Sequence, residues 1–328
     1  MIGEKLIDII VPVYNQVEVI HDFLKSASDI DEGLVNVILV NDGSTDGTEL
    51  EITKYISDYK KNNFHLINKC NGGVSSARNT GIKNTNSQYI WFCDPDDIIK
   101  SDLNDVFSIL KSEPTTDVFV FSYETHYVNT GKIRVNDRRH EILSGGDFLL
   151  MHNNLSNSYW YPASDGTLWD KIYKRDSILG LLFDEGMICS EDFNFNFNVF
   201  KRVSRVMILK NILYKYNVYA GGTLSSTFNE KIFSDRVSAE RETIIFLKEK
   251  KVSVRNEVKK HILKNIHLLS LHSNKNLLDF YESEHSYFCE KIYPFSSYRE
   301  ITFFILSKFN IYVFSLNVYR FLKKNINR

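Results

Sequence analysis

The chain is predicted to fold as a doubly wound α/β sheet, on three observations. Strand and helix patterns alternate from the amino terminus to about Lys111, the early strands are β-branched runs, and three of the first four end in polar residues. Such alternation implies parallel strands joined by helical crossovers. It also brings the strands' carboxyl ends to one rim, where open α/β sheets bind ligands.

Leu6–Val13 opens the sheet as a buried strand, ends in Pro12, Val13, Tyr14 and Asn15, and is followed by an amphipathic helix over Val17–Ser28. Val35–Val40 runs into NDGSTDGT, where Ser44, Thr45 and Asp46 are N-cap candidates for a helix over Thr48–Lys61. His65–Asn68 is a weaker strand, and NGGVSSARNTGI, Asn71–Ile82, joins a glycine turn to a helix carrying Arg78 and Asn79. Tyr89–Cys93 is aromatic and β-branched, as a buried strand should be. Pro95 cannot donate a ladder hydrogen bond and ends its pairing.

Asp117–Tyr123 and Lys132–Val135 read as further strands, followed by a polar, aromatic span at Asn153–Thr167 and by LWDKIYKRDSI at Leu168–Ile178. Ser190 is the expected N-cap of a helix with Glu191 and Asp192 in its first turn, and Ile208–Tyr216 is the last strand. From Lys231 the pattern is helical, clearest at Asp235–Lys250 and Ser253–Leu271. The final stretch, Ile301–Leu322, is mostly apolar and aromatic and precedes Lys323, Lys324 and Arg328.

A chain of 328 residues, 43% hydrophobic and 25% charged, describes a soluble protein of one large or two unequal domains. The net charge of −1 shows no bulk basic bias toward nucleic acid. Lys and Arg total 40 and Asp and Glu 41; from Lys231 onward they number 18 and 10, leaving 22 and 31 before it. That asymmetry suggests an anionic surface as the tail's partner. Cys70, Cys93, Cys189 and Cys289 form no metal-ligand spacing, which fits reduced thiols in a cytosolic protein. The amino terminus reads as a strand entering a turn and not as a signal peptide.

Asp94, Asp96 and Asp97 stand together just past the Tyr89 strand. Crowded carboxylates repel, and such clusters persist where a cation or hydrogen-bond donors compensate them. Hard oxygen ligands favour Mg²⁺ or Mn²⁺. On these residues alone a second reading is equally open, an Asp-rich turn capping a helix that begins near Ile98.

The order IIVPVYN, ILVNDGSTDGT, NGGVSSARNTGI, WFCDPDD and SEDFNF resembles the family 2 glycosyltransferases of the GT-A fold over roughly the first 220 residues. The bacterial enzymes that build O-antigen, capsule or teichoic-acid sugars are nearest in style. The resemblance implies a Rossmann-like, mostly parallel sheet with flanking helices as a catalytic domain over 1–230. Residues 1–111 would be its nucleotide-binding half, 112–230 its acceptor-side half, and 231–328 a helical C-terminal region.

It further implies that Pro12, Tyr14 and Asn15 pack around the uracil of a UDP-sugar, and that Asp42 accepts from the uracil N3–H. Tyr14 would serve as a stacking platform or simply cover the helix below; Asp42 would read the base or cap a turn. Gly72 and Gly73 would admit the backbone to the nucleotide, and Arg78 would face ribose or diphosphate or make a surface salt bridge. Asp94 and Asp96 match the DxD motif, with Asp94 toward the ribose, Asp96 on Mn²⁺ or Mg²⁺, and Asp97 supporting the loop. Asp192 matches the base of an inverting transfer, with Glu191 its rival; both would otherwise balance a helix dipole. Trp169, Asp170 and Lys171 match an acceptor-side segment, with Trp169 against a sugar face or in the core. One departure is GGTLSST, where Thr223 stands at the position at which relatives often carry a His, and Ser225 is kept.

The implied reaction moves a hexose from a UDP-sugar, UDP-Glc or UDP-Gal favoured, to a saccharide acceptor on a polyprenyl diphosphate. The enzyme would then work at the inner face of the cytoplasmic membrane. Lys308, Asn310, Asn317 and Arg320 interrupt Ile301–Leu322, which therefore reads as an interfacial segment, a helix packed on the catalytic domain, or a dimer contact, and not as a transmembrane helix. A non-catalytic nucleotide-sugar-binding subunit is the competing function, and it predicts damage to carboxylates that are all present. A sugar nucleotidyltransferase would need a glycine- and arginine-rich loop after the first strand, where PVYNQ stands.

Overall fold

The computed structural model describes residues 2–100, 102–155, 166–219 and 230–251. In chain order the first half comprises β1 (Ile7–Val13), α1 (Ile20–Ser28), β2 (Val35–Asn41), α2 (Thr48–Asp58), β3 (Phe64–Asn68), α3 (Val74–Lys83) and β4 (Tyr89–Phe92). Next come β5 (Ile98–Ile99), α4 (Asn104–Ser112), β6 (Val118–Tyr127), β7 (Lys132–Asn136), β8 (Glu141–Leu143) and α5 (Gly145–Leu155). β9 (Lys171–Lys174), a 3₁₀ turn (Arg175–Ile178), α6 (Glu191–Phe200), β10 (Val206–Val218) and α7 (Glu230–Glu249) complete the described elements. The chain divides into the units Met1–Thr227 and Phe228–Arg328, and all of these elements but α7 belong to the first.

β1 and β2 are buried at every position, which explains why their sequences run apolar without alternating: both faces of the sheet are covered. β1 pairs in parallel with β2 on one edge and with β4 on the other, and β3 extends the parallel run beyond β2. The full order is β3-β2-β1-β4-β9-β6-β10-β5, with β7 on β6 and β8 on β10. β9 lies antiparallel between β4 and β6, so the sheet is parallel in its first half and mixed in its second.

Pro12 stands in β1 where its pairing with β4 runs out: the register ends at Ile10 opposite Phe92, and the last bond is from Cys93 N to the Ile10 carbonyl at 3.0 Å.

Ile98 and Ile99 form not the start of a helix but the short strand β5, antiparallel to Tyr214–Lys215 of β10; the helix begins at Asn104. Gly47, with φ 97°, takes the N-cap position of α2. Asp46 still serves that end, accepting from Thr48 N at 3.0 Å and from Val17 N at 3.1 Å. Ser190 takes the N-cap position of α6 with φ 63°, but its side chain makes no capping bond. The expected helix Asp235–Lys250 corresponds to α7, whereas Ser253–Leu271, Ile301–Leu322, Thr223 and Ser225 lie outside the described residues. No helix among the described residues is long and apolar enough to cross a membrane.

α3 packs closely on β1 because Gly81 faces Ile10: a Cβ at Gly81 would lie 2.4 Å from Ile10 Cγ2. Gly81→Ala forces either the Ile10 side chain or the helix to shift. It is expected to lower stability by about 1–3 kcal/mol, read from the midpoint of a urea denaturation curve.

Candidate active site

The rim above β1, β2 and β4 carries the predicted polar residues, and α3 links them. Asp42 follows β2 directly, its N–H donating to the carbonyl of Val13 at 2.8 Å. Its buried carboxylate accepts from Lys69 Nζ at 2.5 Å, from Gly72 N at 3.0 and 3.2 Å, and from Gly73 N at 2.7 Å. Gly73, at φ 87°, is the N-cap of α3, so the helix begins by presenting main-chain donors to a carboxylate, as the dipole favours. These three donors engage both carboxylate oxygens. Lys69, just past β3, was missed in the sequence, although the rule that drew attention to the other strand ends applies to it equally.

Tyr14 is 47% exposed beside this group, while Pro12 is buried. Asn15 adopts φ 51° and ties two rim loops together: its N–H donates to Ser44 Oγ at 3.0 Å, and its Oδ1 accepts from Thr45 N at 2.8 Å.

One and a half turns into α3, Arg78 is only 4% exposed. Its Nη1 meets Asp192 Oδ1 at 2.5 Å and Glu191 Oε1 at 3.2 Å, and its Nη2 lies 3.5 Å from Asp94 Oδ1. Its terminal nitrogens are engaged by carboxylates from β4's rim and from the start of α6. Asn79, next along the helix, clamps Phe183 at both ends of its peptide, donating to the carbonyl at 3.0 Å and accepting from the N–H at 2.8 Å. It also donates to Glu185 Oε1 at 2.9 Å. Adjacent residues of one helix thus hold the whole approach to Glu191 and Asp192.

The Asp94–Asp97 loop is held from β10. Asp94 N donates to the Tyr214 hydroxyl at 2.9 Å, Asn217 N to Asp97 Oδ1 at 2.7 Å, and Asn217 Nδ2 to the Asp96 carbonyl at 2.8 Å. Asp97 thereby supports the loop, and its Oδ2 is buried with no donor in hydrogen-bonding geometry.

Burial raises the pKa of all three loop carboxylates. For Asp94, Arg78 opposes the rise and Glu191 adds to it. Asp96 is pushed up to about 6 by burial and then by the Asp94 charge. Asp97 is raised well above the usual range by burial and its two neighbours, against the Asn217 N–H. Asp192 is raised by burial, with Glu191 and Asp94 adding and Arg78 opposing. Arg78 itself is burdened by burial, but Asp192, Asp94 and Glu191 together outweigh that and raise its pKa.

Five carboxylates thus share one region with a single paired guanidinium, a surplus of negative charge that suits a hard cation. Among the described residues no group of three or more His, Cys, Asp or Glu could by itself hold a metal ion.

Of the acceptor-side residues, Trp169 takes the core alternative and Lys171 is buried. Trp169 is 6% exposed and lies flat against Tyr214 and Tyr216, with ring centroids 5.1 Å away in each case. It is core, under the Asp94 loop. Lys171 is fully buried, with Nζ 2.7 Å from Asp170 Oδ1 and 2.5 Å from the Thr167 carbonyl. Arg138 meets the other Asp170 oxygen at 2.5 Å. Neither Trp169 nor Lys171 presents a surface to an acceptor.

Residues 8–178 match the family described as Glycosyl transferase family 2. Glycosyltransferase GlyA of Streptococcus pneumoniae serotype 4 is 30% identical over 254 residues, 75% of this chain and 35% of that protein. The uncharacterized glycosyltransferase EpsJ of Bacillus subtilis is 32% identical over 227 residues, 64% of this chain and 60% of that protein. The chain thus spans less than two thirds of either relative. Among solved structures, S. aureus TarS 1–349 in complex with UDP-GlcNAc superposes with a TM-score of 0.64 at 20% identity, covering 86% of this chain and 81% of that one. The mannosyltransferase PcManGT from Pyrobaculum calidifontis, in complex with GDP-Man and Mn²⁺, gives 0.53 at 14% identity, covering 97% of this chain and 88% of that one. At these identities the structural likeness concerns the fold, and it is the GT-A fold.

Replacing Asn79 by Ala leaves the Phe183 N–H and carbonyl without their partners inside the protein. The expected loss is about 2 kcal/mol or more in thermal or urea unfolding, with faster amide exchange in the segment from Phe183 to Asp192.

Proposed function

The chain belongs to glycosyltransferase family 2, and from that premise we propose an inverting, metal-dependent transferase that moves a hexose from a UDP-sugar to a hydroxyl of a saccharide. The observation that carries this reading is the meeting of Asp94 with Glu191 and Asp192 around Arg78, on the same rim as Asp42. Residues about a hundred positions apart supply a nucleotide end and a carboxylate end to one helix.

In this reading Tyr14 stacks on the uracil, with Pro12, Asn15 and Gly73 shaping the pocket, and Asp42 accepts from N3–H. Cytosine lacks that hydrogen and so could not stand in for a donor that Asp42 already holds, which is how the site would discriminate. Asp96, with Asp94 beside it, would hold Mn²⁺ or Mg²⁺, which when bound offsets the charge developing on the diphosphate. The acceptor oxygen attacks C1 of the hexose, and the C1–O bond to the diphosphate breaks with its electron pair leaving on UDP. Asp192 takes the acceptor's proton. Attack opposite the leaving group converts an α-linked donor into a β-linked product. The solved neighbours that carry UDP-GlcNAc, or GDP-Man with Mn²⁺, support a nucleotide-sugar donor. We take UDP-Glc or UDP-Gal as donor, a polyprenyl-diphosphate-linked saccharide as acceptor, and the cytoplasmic face of the membrane as the place of work.

A screen of UDP-Glc, UDP-Gal, UDP-GlcNAc and UDP-GalNAc against a saccharide-diphosphate-lipid analogue with Mn²⁺ tests the reading. Asp96→Ala is expected to abolish both transfer and its response to Mn²⁺ after EDTA treatment. Asp192→Asn is expected to lower kcat by about 10²–10⁴-fold while sparing UDP binding measured by calorimetry. Full activity in either variant removes the role given to that residue.

A further inference from the structure

Arg78 occupies a closed seat. Its guanidinium lies over the Phe183 ring, 5.4 Å from the centroid. That ring is stacked on Phe195 at 4.1 Å and meets Phe92 edge-on at 5.4 Å. Asn79 fixes the Phe183 main chain from the same helix. Around the guanidinium's edge stand Asp192, Glu191 and Asp94. Moving Arg78 toward a phosphate would give up the aromatic seat and leave three partly buried carboxylates uncompensated, a costly exchange.

Ser190 enters α6 at φ 63°, and Arg78 Nη1 reaches both carboxylates of the helix's first turn. A guanidinium can hold two carboxylates in a set geometry, whereas an ammonium is a point charge.

We propose that Arg78 is the positioning residue of the catalytic base: it fixes Asp192 relative to Asp94 and does not bind the donor's phosphates. The inference rests on Asp192 being that base. It makes the geometry between the donor loop and the base a property of α3, independent of whether a nucleotide is bound.

Arg78→Lys keeps the charge and loses the fork. At saturating donor, kcat is expected to fall about 10²-fold, since small misplacement of a reacting group costs that much, with the Kd for UDP unchanged within about threefold. On an Asp192→Asn background the same change should lower kcat no further, because the group it orients is already disabled. Phe183→Leu, which keeps every charge and removes the seat, should lower kcat in the same way and also spare UDP binding. It keeps the test open should Arg78→Lys fold poorly. A UDP Kd weakened tenfold or more with kcat intact would make Arg78 a donor ligand and overturn the proposal. Wild-type kcat in Arg78→Lys would overturn it too, as would wild-type kcat in Phe183→Leu where Arg78→Lys does not fold. Full transfer by Asp192→Asn would remove the base assignment and this inference together. An inactive Asp192→Asn beside a fully active Arg78→Lys would sink the inference alone.

Discussion

A guanidinium almost wholly removed from water must have its counter-charges built around it, because desolvating a lone cation costs several kcal/mol even after the protein relaxes. Arg78 meets that requirement with carboxylates from distant parts of the chain: Asp94 past β4, and Glu191 and Asp192 at the start of α6. The dependence runs both ways. Burial and mutual repulsion push Asp94 and Asp192 toward the protonated form, and Arg78 is the group that opposes this for both. No member of the set is satisfied without the others, so the rim closes as a unit.

α3 is the element on which these demands converge. Its first main-chain donors engage Asp42, its middle carries Arg78 and Asn79, and its last turn lies against β1 through Gly81. A ten-residue helix thus fixes the separation between one end of the rim and the other. β10 supports the arrangement from the far side, with Tyr214 and Asn217 gripping the Asp94–Asp97 loop over the Trp169 stack.

The parallel half of the sheet was legible because its strands are buried on both faces and leave an unbroken apolar record, and because parallel pairing puts Asp42 and the Asp94 group at one end. Asp192 was reached by resemblance and by its place in a helix's first turn. What escaped was of two kinds. The Asn79 clamp on Phe183 joins residues 104 positions apart, and no local pattern announces it. Lys171 has the composition of a ligand surface but is core, and burial of a lysine is decided by a partner, here Asp170, and by packing invisible in one dimension. Ile98–Ile99 shows the same limit on a smaller scale: two apolar residues carry no period, and their pairing with β10 chose a strand.

The carboxylate of Asp42 already accepts from one ammonium and two main-chain N–H groups. An incoming N–H therefore competes with resident donors, and where it displaces one the free energy gained is the difference between two hydrogen bonds, on the order of 1 kcal/mol rather than the worth of a whole bond. Gly72 and Gly73 are fixed by the helix they begin, which leaves the flexible lysine as the partner to be exchanged. Any ligand that donates to this carboxylate then competes with Lys69, so that the lysine side chain sets the threshold the newcomer has to exceed.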